Sequence, residues 1–194
     1  MQIDSGILVL VVGPSGAGKD SVLNGARTAF ADDERFVFVQ RTITRESGAG
    51  FEDNVEATPG TFAAAKAAGA FALFWRAHDL DYGIPAVVEG DLKAQRCVIA
   101  NVSRSVIDLA RSRYKSRRVV NVTAPIAVLA RRIAKRGRED AAAVEKRMAR
   151  VGYALPPGDD ILHIENTGPV EVAVDRFTNW VRETVYCRAA STWG

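Results

Sequence analysis

The chain has 194 residues, 47% of them hydrophobic and 25% charged, and carries a net charge of +3. This describes one ordinary globular domain with room for a sizeable core. The basic residues gather at Arg111 to Arg118 and Arg131 to Arg150. Phosphates on a small molecule are therefore the expected anionic partner, with no nucleic acid. Cys97 and Cys187 lie far apart, forming neither a metal-ligand spacing nor a disulfide framework, which fits a reducing compartment. The apolar run at residues 6 to 12 is too short to span a bilayer, and no basic segment with a cleavage site precedes it. A cytoplasmic location without membrane attachment is expected.

In chain order, Gly6 to Val12 reads as a strand buried on both faces of a parallel sheet. A glycine-rich turn leads into a helix from about Lys19 to Phe30. Further short strands are expected at Phe36 to Val39, Cys97 to Val102, Val119 to Val122 and Ile161 to Ile164, separated by helix-like stretches. The alternation predicts an α/β fold with a parallel core sheet. Pro85 is expected in the first turn of a helix running to about Gln95, and Pro125 in that of a helix running to about Arg136. Residues 41 to 84 interrupt the alternation with a Gly- and charge-rich loop, an Ala-rich helix (Thr61 to Ala68) and an aromatic run (Phe71 to Trp75). They are read as an inserted substrate-binding subdomain within a single domain.

Gly13-Pro14-Ser15-Gly16-Ala17-Gly18-Lys19-Asp20 matches the phosphate-binding pattern G-x-x-x-x-G-K except at its last position. Glycines there let successive backbone N–H groups point at phosphates, and the lysine reaches the outer ones. The run follows a buried strand and opens a helix, as that chemistry requires. It points to ATP. Where a hydroxyl usually meets Mg²⁺ the chain has Asp20, followed by Ser21. A carboxylate is a hard oxygen ligand for that metal, and the alternative is an acid stabilising the first helical turn.

Arg41-Thr42-Ile43-Thr44-Arg45 follows the second strand, with two arginines and two threonine hydroxyls able to clamp a phosphate, or simply a solvated loop. Here the sequence resembles the guanylate kinase branch of nucleoside monophosphate kinases, at Thr44-Arg45, Glu52, Tyr82-Gly83, Leu129-x-x-Arg132-Ile133-x-x-Arg136-Gly137-x-Glu139 and Val144-x-x-Arg147-Met148. That resemblance implies a three-layer P-loop fold, a tyrosine (Tyr82) on the acceptor phosphate, and an arginine lid over residues 131 to 150. Arg136 and Arg147 come first as catalytic groups beside Lys19, with Arg132 and Arg138 after them. Arg132 and Arg136 at i,i+4 share a helix face, and Leu129 and Ile133 supply its apolar contact.

Two departures weigh against guanine as the acceptor. The carboxylate that reads the base in that family is replaced at Leu73 or Phe74, and two aspartates of that family by Ile99 and Asn101 in the run Cys97 to Arg104. A pocket without the polar group has no means of reading the base edge. The motifs at Gly13 to Ser21, Arg41 to Arg45, Phe71 to Pro85 and Ile99 to Arg104 resemble instead the ribose 1,5-bisphosphate phosphokinases of phosphonate metabolism. That implies transfer of the ATP γ-phosphoryl group to the 1-phosphate of ribose 1,5-bisphosphate, giving phosphoribosyl diphosphate and ADP. Arg41, Thr44, Arg45, His78, Tyr82, Asn101 and Arg104 are the acceptor-side candidates, a structural role being the alternative for His78, and the resemblance implies that Asn166 borders the nucleotide, the alternative being a plain strand-to-helix turn. A guanylate or other nucleoside monophosphate kinase and a non-catalytic nucleotide-binding module are the rival readings. His163 is expected in the core, as are Phe71, Phe74 and Trp75, with pocket lining the alternative for the aromatics. The oligomeric state is open, a homodimer being one option.

Overall fold

All six residues of β1 (Ile7–Val12) are buried, as a strand covered on both faces requires. The computed structural model describes residues 6–45, 54–135 and 155–191. The other core strands are β2 (Phe36–Phe38), β7 (Cys97–Asn101), β8 (Arg117–Thr123) and β9 (Ile161–Glu165). They form a five-stranded parallel sheet in the order β2-β7-β1-β8-β9. Its interior is filled by Val9, Leu10 and Val11 of β1, Val98 and Ile99 of β7, and Val119 and Val120 of β8. The chain divides into two units. One comprises the residues up to Leu10 with Asp32–Val119, the other Val11–Ala31 with the chain from Val120 onward.

The first unit holds a second sheet, built from β3 (Arg41–Thr44), β4 (Asn54–Ala57), β5 (Phe71–Ala77) and β6 (Leu80–Pro85) in the order β4-β3-β6-β5. Arg41 to Thr44 is thus a strand and not the loop that was one reading of the sequence. It pairs in parallel with β4 and antiparallel with β6, partners too distant in sequence to be read locally. Ala77 faces Leu80 across the β5–β6 hairpin, leaving a two-residue turn of His78 and Asp79, both at positive φ (54° and 61°). Such a turn matches the strand twist.

Helix α2 (Pro59–Ala67) starts at Thr58, whose hydroxyl accepts the Thr61 N–H at 3.1 Å. It packs on β3 and β4. Its Phe62 stacks on Phe71 at 4.6 Å, and its Lys66 ammonium lies 4.2 Å from the Phe74 ring. Phe71 and Trp75 are buried as expected, but Phe74 is 40% exposed because alternate residues of β5 point to opposite faces.

Pro85 does not open a helix. It ends β6 opposite Phe71, and α3 (Val88–Lys93) begins three residues later. A proline is equally tolerated at a strand end that needs no N–H, which is why composition did not distinguish the two. Glu89 of α3 accepts from Arg113 Nη2 at 2.6 Å and from Tyr114 Oη at 3.1 Å, at the end of α4 (Ile107–Arg113). Arg113 Nη1 also donates to the Ala72 carbonyl of β5, so one guanidinium ties two helices to the second sheet. Burial raises the Tyr114 hydroxyl pKa, and pushes the Cys97 thiol up to about 12. Cys97 is therefore held as an unreactive thiol.

In the second unit α1 (Lys19–Ala29) packs against α6 (Val170–Ser191), which buries Ala173, Phe177 and Val181. Arg182 of α6 donates to the Ala29 carbonyl at 3.3 Å and stands over the Phe30 ring. His163 is exposed and not in the core: β9 is an edge strand that alternates faces, and the His163 ring lies 3.3 Å from the Asn121 amide on β8. Among the described residues no helix is long and apolar enough to cross a membrane. Replacing the fully buried Leu10 by Ala should lower unfolding free energy by about 2–5 kcal/mol. Val172→Ser, at a position 58% exposed, should change it by less than about 0.5 kcal/mol, both read by urea denaturation.

Candidate active site

The turn between β1 and α1 is shaped by what lies against it. Gly13 adopts φ 147°, and a Cβ there would run into the Val122 carbonyl of β8. Gly18 is the N-cap of α1 at φ 86°, and a Cβ there would strike the Asn166 amide. Only glycine satisfies both demands, left-handed backbone and no side chain. The result is a loop that doubles back at Pro14, whose carbonyl accepts the Ala17 N–H, and then enters a helix whose first N–H groups have no partner within the helix itself. Lys19 Nζ folds into this loop, donating to the Gly13 carbonyl at 2.8 Å and the Pro14 carbonyl at 3.1 Å.

An open cleft of about 330 Å³ lies over the loop, lined by Gly16, Gly18, Ser21, Arg132, Asn166, Gly168 and Val170. Arg132 is carried by α5 (Ile126–Lys135), which buries Leu129 and Ile133 as the periodicity predicts and brings the guanidinium within 3.5 Å of the Gly16 carbonyl. Asn166 is 4% exposed, and its amide donates to the Ala17 carbonyl at 2.9 Å while its Oδ1 is buried without a partner. Its backbone N–H is held by the Thr123 carbonyl. The side chain thus braces the loop from behind. Val170, the first residue of α6, was not foreseen; a helix start soon after the last strand was the available signal. Asp20 lies in the first turn of α1 and Ser21 on the cleft wall. No group of three or more His, Cys, Asp or Glu gathers as a metal centre among the described residues.

The acceptor candidates lie in the first unit. Arg41 Nε donates to Asn54 Oδ1 at 3.2 Å, and its guanidinium stands 5.8 Å from the Tyr82 ring. Tyr82 stacks on Trp75, centroids 5.3 Å apart and planes within 3°. Thr44 is buried on the other face, its hydroxyl oxygen accepting the Asp81 N–H at 2.7 Å, so it serves the sheet. Arg45 directly follows β3, and exposed His78 sits at the hairpin tip. Asn101 ends β7, and Arg104 begins a single 3₁₀ turn (Arg104–Val106) that packs against β5. Burial lowers the Arg104 pKa, which leaves a guanidinium charged at neutral pH. Glu52, Arg136, Arg138 and Arg147 lie outside the described residues.

A lysine folded into a left-handed glycine turn between a buried parallel strand and a helix defines a P-loop kinase fold. A solved guanylate kinase from Anaplasma phagocytophilum shares it, with a TM-score of 0.61 at 18% identity, covering 94% of this chain and 87% of that one. No family model matches the chain. Curated relatives named "Ribose 1,5-bisphosphate phosphokinase PhnN" do. That of Rhodopseudomonas palustris is 51% identical over 167 residues, 83% of this chain and 86% of its own length. That of Brucella melitensis is 44% identical over 186 residues, 94% and 96% of the two chains. The chain belongs to the ribose 1,5-bisphosphate phosphokinase family.

Gly18→Ala should weaken ATP binding at least tenfold by calorimetry and lower stability by about 1–3 kcal/mol, since both the positive φ and the Asn166 contact oppose a side chain.

Proposed function

We propose that the chain is an ATP-dependent kinase that phosphorylates the 1-phosphate of ribose 1,5-bisphosphate, giving 5-phosphoribosyl 1-diphosphate and ADP, and that it serves phosphonate metabolism in the cytoplasm. The observation that carries the choice of acceptor is on β5. Where guanylate kinases place a base-reading carboxylate, Leu73 is fully buried and Phe74 lies beneath the Lys66 ammonium on the face covered by α2. Neither can accept a hydrogen bond from a purine edge.

The acceptor needs no base. A phosphate monoester has a second pKa of about 6, so at neutral pH it is largely dianionic and already nucleophilic. The protein has to hold two anions in line and neutralise charge as it moves. Backbone N–H groups of Gly16 to Lys19 cradle the donor phosphates, and Lys19 exchanges the Gly13 and Pro14 carbonyls for their outer oxygens. Arg132 supplies charge from the cleft wall. Arg41, Arg45 and Tyr82, with Arg104 on the turn behind β5, hold the acceptor phosphates. Arg136 and Arg147 act as the lid. Asp20 and Ser21 fit Mg²⁺ as it is commonly bound, by one carboxylate and a hydroxyl together with substrate oxygens, and would hold it there to screen phosphate charge.

In a coupled ADP-release assay, ribose 1,5-bisphosphate should turn over at least 100-fold more efficiently than GMP, AMP or UMP; turnover of GMP alone would overturn the assignment. The acidic limb of kcat/KM should follow the acceptor's own ionisation. Below a pKa of about 6 the phosphate gains a proton and the rate should fall about tenfold per pH unit.

A further inference from the structure

The face of the second sheet opposite α2 carries a carboxylate with no assigned task. Strand register fixes its neighbours. Ile43 pairs with Glu56 on one side and with Tyr82 on the other, and Tyr82 pairs with Trp75, so these four side chains form one row on one face. In the next row Arg41 pairs with Asn54, and the Arg41–Asn54 bond and the Arg41–Tyr82 contact confirm that these side chains share the face. Ile43 is buried at the floor, Tyr82 is half-buried, and Glu56 is exposed. Along the strand, Arg41 lies two residues before Ile43, and Arg45 directly follows the strand, where its N–H turns back to the Ile43 carbonyl at 3.1 Å. Among the described residues the Glu56 carboxylate makes no hydrogen bond or ion pair.

A carboxylate one row from Arg41 is poorly suited to a phosphate and well suited to hydroxyl groups. Ionised, it is acceptor-only and can receive two O–H bonds at once. Resting on the function proposed above, we infer that Glu56 is a specificity-determining residue that accepts hydrogen bonds from the 2- and 3-hydroxyls of the ribose ring. Arg41 and Arg45 take the phosphates, the phenol of Tyr82 borders the ring across from Glu56, and the carboxylate marks the stretch where the substrate must bear hydroxyls. It also repels an acceptor with a phosphate at C2 or C3, so the same group selects and excludes.

The test compares kcat/KM for ribose 1,5-bisphosphate and 2-deoxyribose 1,5-bisphosphate in the wild-type chain, Glu56→Ala and Glu56→Gln. The wild type should prefer the ribose compound by roughly 10- to 100-fold, the range for a hydrogen bond to a charged group. In Glu56→Ala the preference should fall to within about threefold of unity, mostly through KM for the acceptor and with KM for ATP unchanged, while Glu56→Gln should retain an intermediate preference. Loss of stability alone would not move this ratio. An unchanged preference in Glu56→Ala overturns the inference and leaves the proposed function standing. A wild-type chain that phosphorylates neither sugar overturns the proposed function itself.

Discussion

The Val122 carbonyl occupies the space where a side chain at residue 13 would lie, and the Asn166 amide does the same at residue 18. Between these two fixed points four residues must carry the chain from a buried strand into a helix, with Gly13, Gly16 and Gly18 at positive φ. The first N–H groups of α1 have no partner within the helix, which suits that end to an anion. The braces come from β8 and from the end of β9, so the core sheet itself holds the loop open. A phosphate site made this way is paid for by the fold and is ready before the ligand arrives.

Charge is handled separately in the two units. Around the loop Lys19 donates to two carbonyl groups and Arg132 reaches toward the Gly16 carbonyl. On the second sheet Arg41 rests on Asn54 and against Tyr82. By contrast the ion pair of Arg113 and Glu89 joins elements and has no phosphate role.

The phosphate loop and the core strands were legible because their signals are local: a continuous apolar run, glycines at fixed spacing, a lysine opening a helix. Arg41 to Thr44 was less so, since its two partners come from residues 54–57 and 80–85 and no window around it contains them. Pro85 suited a helix start and a strand end equally. Exposed His163 follows from the edge position of β9, which sequence order does not reveal. Asn166 was anticipated beside the nucleotide, while its bracing of Ala17 depends on a contact 149 residues apart. Glu56 had no motif to mark it; only register shows that it shares a face with Arg41 and Tyr82.

The central claim is that the glycine loop and its lysine carry a γ-phosphoryl group from ATP to a sugar phosphate. The most direct measurement follows γ-labelled ATP in a single turnover with ribose 1,5-bisphosphate, using the wild-type chain and Lys19→Ala, with circular dichroism to verify folding. The wild type should place the label on the outer phosphate of a newly formed diphosphate. Lys19→Ala should keep its fold and lose transfer by a factor of at least about 10³, as expected for removal of a charge-stabilising group. Near-normal transfer by that variant, or label that never leaves ATP in the wild type, would contradict it.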